Sequence, residues 1–259
     1  MGPGQSYCGP TQPRVGPKQI ELGAKVWYAR LNASNVVWGT QPPGLPGTEI
    51  DLNRDLGLGR WEYLYEADAR CQLRCNWGVR YSFMNYFFEE TSDVRPPFGF
   101  YFGYTYYPSG TRIYSKWRRY IHRAELIYDW YQQKHAVCSI FAGYSLYDDR
   151  LSITSKTFSF QRARGLGYGL LHGGMSLDRA VTNVGGGTAS VHCKWSVSFL
   201  EGYFGWDGTV TGRMHVPMNC GRYGFLEAGW RWIVLRRGEP SNTDETNIDG
   251  ITVGAGMVF

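Results

Sequence analysis

The sequence predicts an all-β fold, an antiparallel up-and-down transmembrane β-barrel of about ten strands. Three observations predict it. Long segments alternate apolar and polar residues with period two. Several of these segments are far longer than the roughly 5–6 residues usual in soluble strands. The connections between them alternate short and long, the rhythm of a barrel with tight turns at one end and large loops at the other. The number becomes twelve if the 35–60 or the 148–164 stretch contributes a hairpin.

Composition is compatible with this and narrows the function classes. The chain has 259 residues, 43% of them hydrophobic, with a mean hydropathy of −0.36. No apolar run approaches the roughly 18 residues that a membrane helix needs, whereas a barrel strand crosses with about 9–11, only half of them apolar. Aromatic content is high, with 10 Trp, 19 Tyr and 13 Phe, which suits interfacial girdles. The net charge of +5 is mild and interleaved with acids, so no nucleic-acid partner is expected. Cys8, Cys71, Cys75, Cys138, Cys193 and Cys220 show no zinc-type spacing, so neither a metal nor a cofactor is expected.

Taken in order, residues 1–18 read as a flexible leader, and 19–259 as a single barrel domain. No signal peptide is visible in that leader, so export requires a start upstream of Met1 or a chain given in mature form. In residues 20–32, Ile20, Leu22, Ala24, Val26 and Tyr28 share one face. Residues 61–74 are the clearest case: Trp61, Tyr63, Tyr65, Ala67, Ala69, Cys71 and Leu73 oppose Glu62, Leu64, Glu66, Asp68, Arg70, Gln72 and Arg74. Similar alternation marks 77–89, 112–131 (cleaner in its second half), 136–147, 188–199, 208–216 and 223–236, while 165–177 is glycine-rich and ambiguous in register. Long polar or Pro/Gly-rich connections are expected near 33–60, 91–110, 148–164 and 238–247. Short ones are expected near 75, 133–135, 182–187 and 217–221, and 200–207 is short for an external loop. Gly165–Gly169 has the wrong spacing for a nucleotide fingerprint, Asn32-Ala-Ser34 matches a glycosylation sequon by chance, and Gly185–Gly187 reads as a tight turn.

The final strand, residues 249–259, places Ile251, Val253, Ala255, Met257 and Phe259 on one face and Gly250, Thr252, Gly254 and Gly256 on the other. An alternating strand that ends on an aromatic residue resembles the C-terminal β-signal of bacterial outer-membrane β-barrel proteins. That resemblance implies residence in the outer membrane of a Gram-negative bacterium, contact with outer-membrane lipid, and recognition of this strand by the barrel-assembly machinery. It covers 20–259 as a pattern and names no subfamily.

The inward faces then carry Glu21, Lys25, Glu62, Glu66, Asp68, Arg70, Arg80, Arg123, Glu125, Asp129, Lys194, Arg213, Glu227 and Arg231. Both signs occur on neighbouring strands, so in a lumen that side chains can fill they are expected to pair and plug it. The small inward residues of the last strand would leave room for them. The expected function is a non-enzymatic structural or surface protein with a non-conducting lumen and an external ligand that the sequence does not name. The first alternative is a narrow porin or solute channel lined by the same residues. The second is an enzyme of the omptin type: Asp148-Asp149 sits at a predicted outer strand end, but the Asp-x-His partner is missing. An outer-membrane phospholipase is weaker still, for want of a His-x-Ser. A third alternative is a secreted β-sandwich or lectin. The aromatic run over 98–107 is expected to extend a strand above the membrane; as a true loop it would be the best adhesion candidate.

Overall fold

Alternating segments leave N–H and C=O groups unpaired along both edges, and only closure into a barrel satisfies them all where water is absent. The computed structural model describes residues 20–34, 36–37, 49–74, 76–95, 99–102, 105–133, 135–155, 161–184, 186–200, 202–218, 222–239 and 242–259. The expected leader, residues 1–18, lies outside them. The strands are β1 (Ile20–Ser34), β2 (Val36–Val37), β3 (Glu49–Ile50), β4 (Trp61–Arg74), β5 (Trp77–Asp93), β6 (Phe100–Phe102), β7 (Thr105–Tyr107), β8 (Arg112–Gln133), β9 (Ala136–Ser155), β10 (Gln161–Val184), β11 (Gly187–Leu200), β12 (Tyr203–Pro217), β13 (Tyr223–Glu239) and β14 (Asn242–Val258). Ten of these form one closed antiparallel barrel in the order β1-β14-β13-β12-β11-β10-β9-β8-β5-β4, and the two short pairs β2–β3 and β6–β7 stand apart. The 35–60 stretch therefore adds no wall strand. The sandwich alternative gives way to the closed wall, in which β1 pairs with both β4 and β14.

Six wall strands, β1, β5, β8, β9, β13 and β14, change character part-way up. At the end bearing the short turns, the outer face is apolar and exposed: Ile20, Leu22, Val26 and Tyr28 on β1, Leu73 to Tyr63 on β4, Trp77 to Tyr81 on β5, Ile140, Tyr144 and Leu146 on β9. On β4 this run covers about the 9–11 residues that a tilted strand needs to cross hydrocarbon. Beyond it the outer face turns polar, with Arg30 and Asn32 on β1, Lys116 and Arg118 on β8, and Asp148, Arg150 and Ser152 on β9. The inner face turns the other way. Below lie charged groups; above lie Ala29, Leu31 and Ala33 of β1, Trp117 and Ile113 of β8, and Leu151 and Ile153 of β9, all 3% exposed or less.

This upper interior is a conventional apolar core, and it is completed by segments that leave the wall. After β3, a turn brings Leu52, Leu56 and Leu58 into the core with Ile50. The Asp51 carboxylate organises the turn, accepting from the amides of Asn53 at 2.9 Å and Arg54 at 2.8 Å; Gly57 closes it at φ 75°. The aromatic run beyond β5 forms its own hairpin, β6–β7, and does not prolong a wall strand: Phe100 opposes Tyr107 and Phe102 opposes Thr105. Phe100, Phe102 and Tyr107 are at most 1% exposed, so these three rings cap the barrel, while Tyr101 and Tyr106 pair at 5.0 Å on the hairpin's other face. The wall strands also run past the ends suggested by alternation. β9 continues to Ser155 and β10 begins at Gln161, so Asp148-Asp149 lies within a strand and not in a loop.

Candidate functional site

Beneath the cap, the inward side chains of neighbouring strands meet across the lumen. The strand period sets this up: with apolar groups outward at every second residue, the intervening charged residues all point to the axis. Lys25 reaches Glu227 at 3.1 Å and Asp68 at 3.4 Å. Arg213 joins Glu227 at 2.8 Å to Glu21 at 3.0 Å. Arg70 meets Asp129 at 3.4 Å, and the same carboxylate accepts from Ser139 at 2.6 Å. Glu125 is held by Arg80, by Lys194 at 2.8 Å and by His172 at 3.2 Å. Arg123 and Arg231 converge on Asp207, and Arg231 also pairs with Glu66. An internal cavity of about 50 Å³ remains among them, room for a handful of waters.

Every charged residue assigned to the lumen from the sequence enters these pairs except Glu62. Glu62 lies near the top of β4 and is only partly buried; Arg60 beside it pairs with Glu90 at 2.7 Å, and Glu62 joins none of these pairs among the described residues. The small inward residues of β14 do make room. A Cβ on Gly254 would stand 2.8 Å from Lys25 Cγ and 3.2 Å from Glu227 Oε1. At Gly256 the occupant is apolar, the Phe225 ring, which fills the space a Cβ would take.

Some participants escaped the sequence reading. Asp207, 5% exposed, is the shared acceptor of two arginines, yet it fell in an expected connection. The inward parity of Thr211 and Arg213, carried back along β12, would have found it. Asp178 pairs with His192 at 2.8 Å, one residue past the expected strand end. Asp149 points inward and takes a bidentate bond from Arg119 at 2.5 and 2.7 Å, while Asp148 points outward to Arg150 at 2.8 Å. The adjacent acids thus serve two faces of β9 and share no site.

One line of groups has the composition of a nucleophilic relay. Ser145 Oγ lies 2.9 Å from His172 Nδ1, and His172 Nε2 lies 3.2 Å from Glu125 Oε1. Acyl transfer needs a reachable nucleophile and an acid free to orient the base. Ser145 has no exposed surface (0%), and Glu125 is already engaged by Arg80 and Lys194. The line knits β8, β9 and β10 together.

On the outer surface, Ile251, Val253, Ala255 and Phe259 are exposed and Met257 is half-buried. Exposed aromatics are spread over the outer surface; Tyr28 stacks on Trp61 at 5.1 Å, and Trp77 lies 4.8 Å from Tyr128. Cys71, Cys138 and Cys193 are free thiols; the other three cysteines lie outside the described residues.

No protein-family model matches the chain, and no curated protein matches it in sequence. Solved structures similar to it include the outer membrane protease OmpT of Escherichia coli, at 9% identity and a TM-score of 0.48, covering 94% of this chain and 97% of that one. Ail, the attachment invasion locus protein of Yersinia pestis, matches at 11% identity and a TM-score of 0.39, over 93% and 99% of the two chains. The β domain of the Bordetella autotransporter BrkA matches at 8% and 0.39, over 93% and 99%. These likenesses extend to the barrel and no further.

Proposed function

We propose that the protein is an integral outer-membrane barrel, non-enzymatic and non-conducting, whose work lies on its outer surfaces. The observation that carries this reading is the inversion along β1, β5, β8, β9, β13 and β14: apolar outside and ion-paired inside below, polar outside and apolar inside above. The lower half suits a bilayer and the upper half suits water, so the chain stands in the membrane and projects a closed head beyond it. Two seals lie in series across the axis, the ion-pair layer around a cavity of about 50 Å³ and the apolar cap of Leu52, Leu56, Leu58, Phe100 and Phe102. In this reading the C-terminal strand, with its outward Ile251, Val253, Ala255 and Phe259, is the segment that the barrel-assembly machinery engages.

Refolding into detergent micelles followed by gel migration with and without boiling tests the membrane assignment; planar-bilayer recording tests the seals. We expect heat-modifiable migration, detergent-dependent solubility and no steady conductance. A detergent-free soluble monomer would overturn the first part, and a steady single-channel current in the unmodified protein the second.

A further inference from the structure

Just above the apolar band, the outer face of β5, β8 and β9 gathers cations that the fold itself leaves under-neutralised. The register sets Arg118 directly opposite Arg150 on one side and Phe87 on the other. Like charges opposed across strands repel, so this arrangement costs stability unless an anion sits between them. Arg150 has Asp148 at 2.8 Å. Arg118 makes no ion pair among the described residues; its guanidinium lies over the rings of Phe87 at 5.3 Å and Tyr120 at 5.8 Å. Lys116 stands over Phe87 at 4.6 Å and only 4.0 Å from Glu89, a carboxylate that also accepts from Tyr114. The positions of β10 paired with Arg150 and Asp148 are the glycines Gly165 and Gly167, which bring no side chain of their own.

Directly below, the same strands offer exposed Leu146, Tyr144 and Leu126, and Leu171 on β10. A ligand that satisfies both zones carries an anionic head and long apolar chains. We propose that Arg118, Arg150 and Lys116 hold the phosphate of an outer-leaflet lipid against the wall, its acyl chains lying down the apolar column beneath. Guanidinium groups suit this because their forked donors match phosphate oxygens, and the aromatic rings hold the forks in place. The proposal rests on the membrane-embedded reading above.

Native mass spectrometry of the refolded barrel, released from zwitterionic micelles doped with phosphatidic acid or with diacylglycerol of the same chains, tests it. The expected result is a preference of about tenfold for the phosphate-bearing lipid, roughly 1.4 kcal/mol. It should be lost in Arg118→Gln combined with Arg150→Gln, and kept in Arg236→Gln, which removes another outward arginine, paired with Glu245 at 3.1 Å. Heat-modifiable migration confirms that each variant is folded. No preference in the unmodified protein, or equal loss in Arg236→Gln, would sink the site. Full displacement by inorganic phosphate would show a plain anion site and overturn the lipid assignment. A folded, detergent-dependent barrel without preference leaves the membrane reading standing, whereas a detergent-free soluble monomer removes that reading itself.

Discussion

Asp207 shows what a single buried charge does in this molecule. Its carboxylate accepts from Arg231 at 2.7 and 3.1 Å and pairs with Arg123, itself 1% exposed. Truncation would strand the Arg123 guanidinium in a water-poor lumen and leave Arg231 with Glu66 alone, and breaking a buried pair in that way costs about 3–5 kcal/mol. Asp207→Ala is therefore expected to lower stability by that amount in urea titrations of the micelle-bound protein. Glu66→Ala should cost less, about 1–3 kcal/mol, because Arg231 keeps Asp207. The exposed Glu245→Ala should stay within about 0.5 kcal/mol. If all three variants unfolded alike, the lumen would be wet and the pairs inconsequential. A second residue-scale consequence lies outside the membrane. The hydrogen bond that Tyr114 donates to Glu89, with smaller contributions from burial and the carboxylate's charge, pushes its phenol up to about 12. The folded state thus favours the protonated form. Its contribution is complete below the ordinary tyrosine value near 10 and fades as pH rises through about 12. Ultraviolet titration should show a tyrosine step near 12 that is lost in Tyr114→Phe and moves earlier in Glu89→Gln; an unchanged step in both would refute the assignment.

At the scale of the element, the wall strands explain both the success and the shortfall of pattern reading. On β9 the apolar positions are Ile140, Ala142, Tyr144 and Leu146, then Leu151 and Ile153. The parity switches at Asp148-Asp149, because the strand leaves lipid and its apolar side must now face inward. A reading that keeps apolar residues on one face stops at the switch and calls the remainder a loop. The same switch lies between Tyr28 and Ala29 on β1 and makes β8 look irregular, with Trp117 and Ile121 inward above Ala124 and Leu126 outward. The cap is the other element invisible to periodicity, since Leu52, Leu56 and Leu58 sit on a turn whose order comes from Asp51 and from burial in the strands' core. Leu56, at 0% exposure, is its best test. Leu56→Asp is expected to raise hydrogen exchange across Phe100–Phe102 and Thr105–Tyr107 while heat-modifiable migration persists, because the cap and the lipid-facing belt draw on different burial. Unchanged exchange in the hairpin would show that the cap is not one cooperative unit.

At the scale of the whole molecule, the two seals act in series, so opening one should not open the other. The Leu56→Asp variant is expected to remain silent in planar bilayers, since the ion-pair layer below is untouched; a steady current in that variant would show that the cap alone closes the barrel. The barrel class, the outward apolar faces and most of the lumen charges were legible in the sequence, because period-two alternation is a local property written directly along each strand. Thirteen-residue reaches of clean alternation are not needed for that; a face can be assigned from Thr211 and Arg213 alone. The folded wall was needed to show which charges meet, that Glu62 stands outside the network while Asp207 is shared by two arginines, and that Ser145, His172 and Glu125 form a buried line. It alone brought Phe100 and Leu56 together over the mouth and set Arg118 opposite Arg150 on the outer wall. Partner choice depends on register and on the stagger of a closed wall, and closure is a property of all ten strands at once that no single segment encodes.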